Sequence, residues 1–210
     1  MPTIPMSPTH ANLQIHPLTR QHHPQIPLLA HTVQHHLTHT RHSLQHLRAE
    51  FLRGDFTEAN APHGRRVWVL LDSSGSHEGD DGDGQVAGMV CIDPLAPSLR
   101  STWGVPKTEE AWMLHSLMIQ PELQGGGRGI GGWFLGSVLE RVKSDDDVSA
   151  RPRTRLFLDC WAGNASLRAF YERAGWTLWG IFREREGAEE WDVSVYAYVT
   201  NKITITSSPD

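Results

Sequence analysis

Apolar residues along the chain follow two periods that alternate from one segment to the next. Short apolar runs bounded by turn residues indicate strands, whereas apolar residues recurring every three or four positions indicate one face of a helix. The predicted helices cover about 28–53, the residues after the central glycines, and about 165–174, with a proline-rich connection at 94–107. The predicted strands cover residues 13–16, 66–72, 85–93, 111–120, 154–159, 176–182 and 191–199. This alternation predicts a single α/β (α+β) domain over residues 12–201, with flexible tails at 1–11 and 202–210.

The first predicted helix carries apolar residues and histidines on opposite faces. At 100° per residue, its core-facing residues fall within about 80° of one another; they are Leu29, Val33, Leu37, Leu44, Leu47 and Phe51. The histidines opposite them are His31, His35, His39, His42 and His46. Because these histidines would face solvent and have no Cys or carboxylate beside them, we predict no metal site.

Charge and cysteine usage narrow the class of protein. A formal charge of -5, with basic residues spread along the chain, argues against a nucleic-acid partner. Cys91 and Cys160 lie in apolar runs and are predicted to be buried, unpaired residues of a reducing compartment. No apolar run approaches the length that spans a bilayer, about 20 residues. We therefore expect a soluble, cytoplasmic protein without a membrane partner.

The strand predicted at 111–120 runs directly into a glycine-rich turn and a helix. Glycines let the backbone approach a ligand closely, and the N-terminus of the following helix presents unpaired N–H groups and a positive dipole end. The segment predicts a pyrophosphate pocket, with a flexible loop as the alternative. A Walker loop is excluded because Gly129 is followed by Ile130 where that motif has Lys. The turn reads Gln124-Gly125-Gly126-Gly127-Arg128-Gly129-Ile130-Gly131.

A second motif follows the strand predicted at 154–159. It begins Asp159-Cys160-Trp161-Ala162-Gly163-Asn164 and continues to Phe170-Tyr171-Glu172-Arg173-Ala174-Gly175-Trp176. With the glycine segment upstream, it resembles the GNAT-type N-acetyltransferases over about residues 13–199. That resemblance implies a GNAT-like mixed, mostly antiparallel twisted sheet of about six to seven strands, flanked by about four helices.

The resemblance also implies acetyl-CoA as cosubstrate and assigns residues to it. The backbone at Leu117 and Ile119 would pair with the pantetheine arm, and the backbone at Met118 would donate to the oxyanion. Asn164 would hold the CoA arm, and Tyr171 would protonate the departing thiolate. The pyrophosphate would lie on Gln124, Gly125, Gly126, Gly127, Arg128, Gly129, Ile130 and Gly131. Two loop registers fit the family pattern, one without gaps and a preferred one with two glycines inserted.

The general base has several candidates. His115 resembles the strand histidine of the arylalkylamine branch of the family, and an imidazole suits proton removal near neutral pH. Met113 stands where that branch has a second histidine, which weakens the match. Glu109 and Glu110 are alternatives that would act through water. Structural roles stay open as well, since Asn164 suits a helix N-cap, Tyr171 a core aromatic, and a strand histidine a hydrogen-bonded core residue.

The function implied is acetyl transfer from acetyl-CoA to a primary amine, most simply that of a small molecule. A protein N-terminus or lysine is the alternative acceptor, and a CoA-binding module without catalysis is the alternative of another class. A homodimer is left open. Acidic and aromatic residues could attract and stack a cationic or aromatic amine, although a glutamate run also suits a solvated loop; they are Trp103, Trp112, Glu184, Glu186, Glu189 and Glu190.

Overall fold

The computed structural model of the chain describes residues 10–19, 22, 25, 26, 29, 66–74, 84–124, 129–144, 154–186 and 188–200. These residues form seven strands and three α-helices. The strands are β1 (Leu13–Pro17), β2 (Arg66–Asp72), β3 (Gln85–Pro94), β4 (Glu110–Ile119), β5 (Thr154–Trp161), β6 (Thr177–Glu186) and β7 (Glu189–Val199). The helices are α1 (Pro97–Thr102), α2 (Ile130–Ser144) and α3 (Ala165–Arg173).

The strands form one hydrogen-bonded sheet in the order β1-β2-β3-β4-β5-β7-β6. The pairs β1–β2, β2–β3, β5–β7 and β6–β7 are antiparallel, and β4 and β5 are parallel. The parallel ladder runs from Glu110↔Thr154 to Met113↔Phe157, although β4 continues to Ile119 and β5 to Trp161. The predicted mixed, mostly antiparallel sheet of about six to seven strands is confirmed.

The chain divides into two compact units. The first unit comprises residues 1–93 and 114–134, and the second comprises 94–113 and 135–210. The core of the first contains Ile26, Leu29, Val69, Leu71, Val86, Met89, Cys91 and Met118. The core of the second contains Leu95, Trp103, Val105, Ala111, Phe157, Val193, Val195 and Ala197. Cys91 and Cys160 are both buried and neither forms a disulfide, as their apolar surroundings predict.

Helix α1 is the main departure from the elements predicted. It lies within the proline-rich stretch 94–107, which the sequence indicates only as a connection. Pro97 stands at the first helical turn, where its fixed φ suits a helix and its missing N–H costs no hydrogen bond. Trp103 follows the helix and is 2% exposed in the second core. Six residues are too few to show a helical period in the sequence.

The sequence predicts that a glycine ends helix α3. Gly175 follows α3 with φ +87°, which confirms it as the glycine that ends that helix.

Most of the helix predicted at 28–53, including its five histidines, lies outside the described residues. Among the helices described, none is long and apolar enough to cross a membrane.

Candidate active site

Strand β4 departs from regular strand geometry at Ser116. This residue has φ +57°, in the left-handed region that residues with a side chain seldom adopt. Such a conformation costs about 1–3 kcal/mol and persists only where surrounding structure enforces it. The departure falls directly before Leu117, Met118 and Ile119, the three residues that the family resemblance assigns to the acetyl and pantetheine groups.

Gly88 on β3 lets the β4 backbone come close at Met118. A Cβ added at Gly88 would lie 2.8 Å from the carbonyl oxygen of Met118 and 3.4 Å from Cγ1 of Ile119. Met118 and Ile119 are themselves buried, with exposed fractions of 5% and 8%. Position 88 therefore sets where the backbone of the candidate acetyl site lies, and only glycine fits there without a shift.

His115 is held by hydrogen bonds at both ring nitrogens. Its Nε2 lies 3.0 Å from Oδ2 of Asp93 on β3, and its Nδ1 lies 2.8 Å from Oγ of Ser116. The side chains of His115 and Asp93 are 25% and 16% exposed, so both are partly accessible to solvent. An imidazole oriented by a carboxylate has one defined tautomer, which suits a proton acceptor.

The residues after β4 close the strand and lead to α2. A short 3₁₀ turn spans Pro121–Leu123, and the side-chain amide of Gln124 donates to the carbonyl of Ile119 at 2.6 Å. Gln124 thus has a structural role in addition to the cosubstrate contact implied for it. Its amide ties the turn back to the end of β4.

The start of α2 has the features of an anion site. Gly129 adopts φ +64°, and its carbonyl accepts the first helical hydrogen bond, from Trp133 N at 2.9 Å. The N–H groups of Ile130, Gly131 and Gly132 precede that bond and belong to the unpaired first turn. They fit a pyrophosphate through N–H donation and the helix dipole. Gly125, Gly126, Gly127 and Arg128 lie outside the described residues, so the register of the loop stays a prediction.

Asn164 and Tyr171 are both positioned by α3. Asn164 caps the helix, with Oδ1 accepting from Leu167 N at 3.0 Å, which confirms its structural role. Tyr171 is 6% exposed and contacts the rings of Phe170 and Trp176 edge-on. Its hydroxyl has no hydrogen bond to the described residues and is not among the polar atoms sealed from solvent.

Burial is the main influence on the protonation of Tyr171. It raises the pKa of the phenol well above its usual value, and the neighbouring Cys160 and Asp159 raise it further. Burial likewise raises the pKa of the Cys160 thiol to about 11, with Asp159 next in effect. Both groups are therefore neutral at physiological pH, so Tyr171 carries a proton that it can donate.

A partly buried polar network joins α3 to β7. The hydroxyl of Tyr196 donates to Oε1 of Glu172 at 3.0 Å and accepts from Nε of Arg168 at 3.4 Å. Tyr196 is fully buried, and its ring lies 6.0 Å from that of Tyr171. The network holds the helix that carries Tyr171 in one position.

The two glutamates at the start of β4 already have partners. Oε1 of Glu110 accepts from Nε1 of Trp112 at 3.2 Å, and Oε2 accepts from the hydroxyl of Thr154 at 3.5 Å. Glu109 forms an ion pair with Arg155 at 3.4 Å. Both carboxylates hold the beginning of the β4–β5 ladder. Like His115, they are general-base candidates whose side chains already have hydrogen-bond or ion-pair partners.

The residues suggested for substrate attraction are only partly suited to it. Trp103 is buried beside Phe157 and Phe182, so it is not available to stack a substrate. Glu190 lies 3.8 Å from Arg185 across the β6–β7 hairpin. Burial raises the pKa of Glu184, and the nearby charge of Asp159 raises it further.

Among the described residues, no three His, Cys, Asp or Glu side chains are grouped as a metal site.

Solved structures with the same architecture come from acetyltransferases. No family model and no curated protein sequence matches the chain. A protein from Desulfovibrio desulfuricans assigned to the GNAT family superposes with a TM-score of 0.61 at 17% identity, covering 90% of this chain and 99% of that one. The fold is that of the GNAT acetyltransferases.

Two further GNAT-fold neighbours have stated substrates. The Salmonella typhimurium acetyltransferase that modifies the N-terminal serine of ribosomal protein L7/L12 matches with a TM-score of 0.57 at 16% identity, covering 91% of this chain and 97% of that one. Spermidine N-acetyltransferase from Vibrio cholerae, solved with CoA and spermine, matches with a TM-score of 0.58 at 15% identity, covering 90% and 96%. The GNAT-type architecture expected from the two motifs is confirmed.

Within this GNAT fold, sequence reasoning missed three residues of the candidate site. Asp93 orients His115, Ser116 bonds its other nitrogen, and Gly88 positions Met118. The sequence contains Asp93 at the end of a predicted strand, but it has no signal that pairs it with a histidine 22 positions later. Gly88 within an apolar strand is a recognisable signal of close backbone approach.

Proposed function

We propose that the protein is an N-acetyltransferase that transfers the acetyl group of acetyl-CoA to the primary amine of a small molecule. The amine attacks directly, with both substrates bound. The observation that carries the proposal is the state of Tyr171, a buried and protonated phenol whose hydroxyl no described residue engages. Its position matches the residue that protonates the departing thiolate in the GNAT-type enzymes that the motif resembles.

Acetyl-CoA would be bound mainly by backbone groups. Leu117 and Ile119 pair with the pantetheine arm as an added strand would, and the N–H of Met118 donates to the acetyl oxygen as negative charge develops there. The first N–H groups of α2, beginning at Ile130, hold the pyrophosphate. Asn164 uses Oδ1 for its helix cap, which leaves its amide nitrogen to bind the CoA arm.

Two proton transfers accompany the bond changes. As the amine nitrogen bonds to the acetyl carbon, its proton passes to His115, which Asp93 holds in one tautomer. As the carbon–sulfur bond breaks, Tyr171 donates its proton to the sulfur. Burial raises the pKa of Tyr171, which by itself makes the phenol a weaker acid and disfavours the transfer. Buried surroundings also disfavour a free thiolate, and this favours protonation of the departing sulfur.

The proposal is tested by thiol release and thermal stability. The protein is incubated with acetyl-CoA and a polyamine, an arylalkylamine or a peptide beginning with serine, and free CoA is followed over time. We expect stabilisation by CoA and amine-dependent release with one of the small amines. Release with the peptide alone would identify a protein N-terminal acetyltransferase. Stabilisation without any release would indicate a binding module, and no stabilisation would refute the assignment.

Substituting Tyr171 tests the acid directly. Tyr171→Phe should lower turnover by roughly 10²–10⁴-fold, with little change in acetyl-CoA affinity, because only the donated proton is lost. Tyr198→Phe is the matched control, since Tyr198 lies on β7 beside Lys143 and is expected to leave turnover unchanged. Equal turnover of Tyr171→Phe and the natural protein would remove Tyr171 from the mechanism.

A further inference from the structure

Asp93, His115 and Ser116 are connected in the order of a catalytic triad. A carboxylate oxygen of Asp93 lies 3.0 Å from one ring nitrogen of His115, and the hydroxyl oxygen of Ser116 lies 2.8 Å from the other. All three belong to the first unit. In unrelated folds, serine is activated by a base within hydrogen-bond reach, and a third group orients that base.

The hydrogen-bond partners of His115 indicate which of its ring nitrogens carries a hydrogen. Ionised Asp93 can only accept, so Nε2 of His115 carries the hydrogen that it donates to the carboxylate. Nδ1 is then the lone-pair nitrogen and accepts the O–H of Ser116. This is a triad with the two ring nitrogens exchanged, and its base can remove the serine proton equally well. His115, Asp93 and Ser116 are all partly exposed to solvent.

The backbone at Ser116 is an independent observation. Its φ of +57° is the only positive φ of a residue other than glycine among the described residues. Glycine or asparagine usually fills such a position, and residues with side chains that adopt it cluster at active sites, ligand clamps and switch regions. The nucleophilic serine of α/β-hydrolases also has a strained backbone, although it lies in a turn after a strand, whereas Ser116 lies within β4.

We infer that Ser116 is a nucleophile that gives the protein a second activity, the hydrolysis of activated acyl esters and thioesters without an amine. Ser116 Oγ bonds to the acyl carbon while its proton passes to Nδ1 of His115, and the alkoxide or thiolate leaves with that proton. Water then attacks the acyl-serine and gives a proton to Nδ1, which returns it to Ser116 Oγ. The products are the carboxylic acid and the alcohol or thiol, so neither oxidant nor metal is consumed.

A fluorophosphonate probe tests the nucleophile without CoA or any amine. Intact mass and peptide mapping should show a single adduct on Ser116. Ser116→Ala should abolish labelling without a change in backbone strain, because alanine meets the same restriction at positive φ. His115→Gln should slow labelling by roughly 10²–10⁴-fold. Ser101→Ala, a change at an exposed serine of α1, should leave it unchanged.

Hydrolysis of p-nitrophenyl acetate provides the second measurement. We expect release of nitrophenol that Ser116→Ala and Ser116→Gly both abolish, with circular dichroism showing that each variant is folded. Absence of an adduct, an adduct on another residue, or equal hydrolysis by Ser116→Ala would overturn the inference and leave Ser116 as a hydrogen-bond partner of His115. Because neither assay uses acetyl-CoA, their outcome is independent of whether the protein acetylates amines.

Discussion

Replacing Gly88 with alanine should displace the backbone of the candidate acetyl site. The added Cβ would lie 2.8 Å from the Met118 carbonyl oxygen and 3.3 Å from Cβ of Leu70. Carbon–oxygen contacts in sheets are usually about 3.3–3.6 Å, so the Met118 carbonyl must move by about 0.5 Å or more. The obstructing atom belongs to the backbone of a buried strand, which cannot rotate away as a side chain could.

The expected cost follows from two opposing effects. Overpacking in a core destabilises by about 1–3 kcal/mol, whereas replacing glycine lowers the entropy of the unfolded chain and returns about 0.4–1 kcal/mol. The net loss of about 1–2 kcal/mol corresponds to a Tm lower by roughly 2–8 °C for a chain of this size. If Met118 donates to the acetyl oxygen, its displacement should also lower kcat/KM about tenfold.

The assay compares Gly88→Ala with a glycine that has room for a side chain. Gly136 lies in the middle of α2, and a Cβ there meets nothing within 4 Å. Gly136→Ala should therefore raise the stability by about 0.8–1.0 kcal/mol through helix propensity. Thermal and denaturant unfolding of both variants measure the contrast. A Gly88→Ala protein as stable as Gly136→Ala, with unchanged kinetics for acetyl-CoA, would refute the close approach of β3 to Met118.

Two other predictions concern protonation and helix capping. Because burial raises the pKa of Cys160 from 9.0 to about 11, the folded state holds that proton more tightly than the unfolded state. Its contribution to stability is intact below pH 9 and lost as pH rises towards 11, so Tm should fall in that window and fall less in Cys160→Ala. Asn164→Ala should cost about 1 kcal/mol in urea unfolding. Asn164→Asp keeps the cap acceptor and should retain the stability, but it should raise KM for acetyl-CoA; an unchanged KM would exclude the amide as a CoA contact.

Much of the fold could be predicted because the signals are local. Strand and helix periods extend over enough residues to be recognised, and special positions such as Asn164 before α3 and Gly175 after it have their own chemistry. Helix α1 is too short for a period. Only its proline indicates it, and proline also suits the connection that the sequence predicts.

The candidate site could be predicted only in part. The order of strand, glycine turn and helix predicts an anion site. The structure shows Gly129 with a positive φ directly before α2, and the site itself stays a prediction. The state of Glu110 could not be predicted, because its acceptor oxygens are used by Trp112 and by Thr154, 44 positions away. A residue's availability depends on its neighbours in space, which a linear pattern does not contain.

By itself, the sequence determined the order and type of the described strands and of helices α2 and α3, and the burial of both cysteines, since each depends on side-chain type and local spacing. Its assignment of residues to acetyl transfer stays a prediction. The tertiary structure alone decided that Asp93 orients His115, that Gly88 faces Met118 and that Ser116 is strained. The first two of these features depend on which residues of β3 lie beside β4, a register between distant parts of the chain. Shifting it by a single position would turn every side chain of the strand to the opposite face.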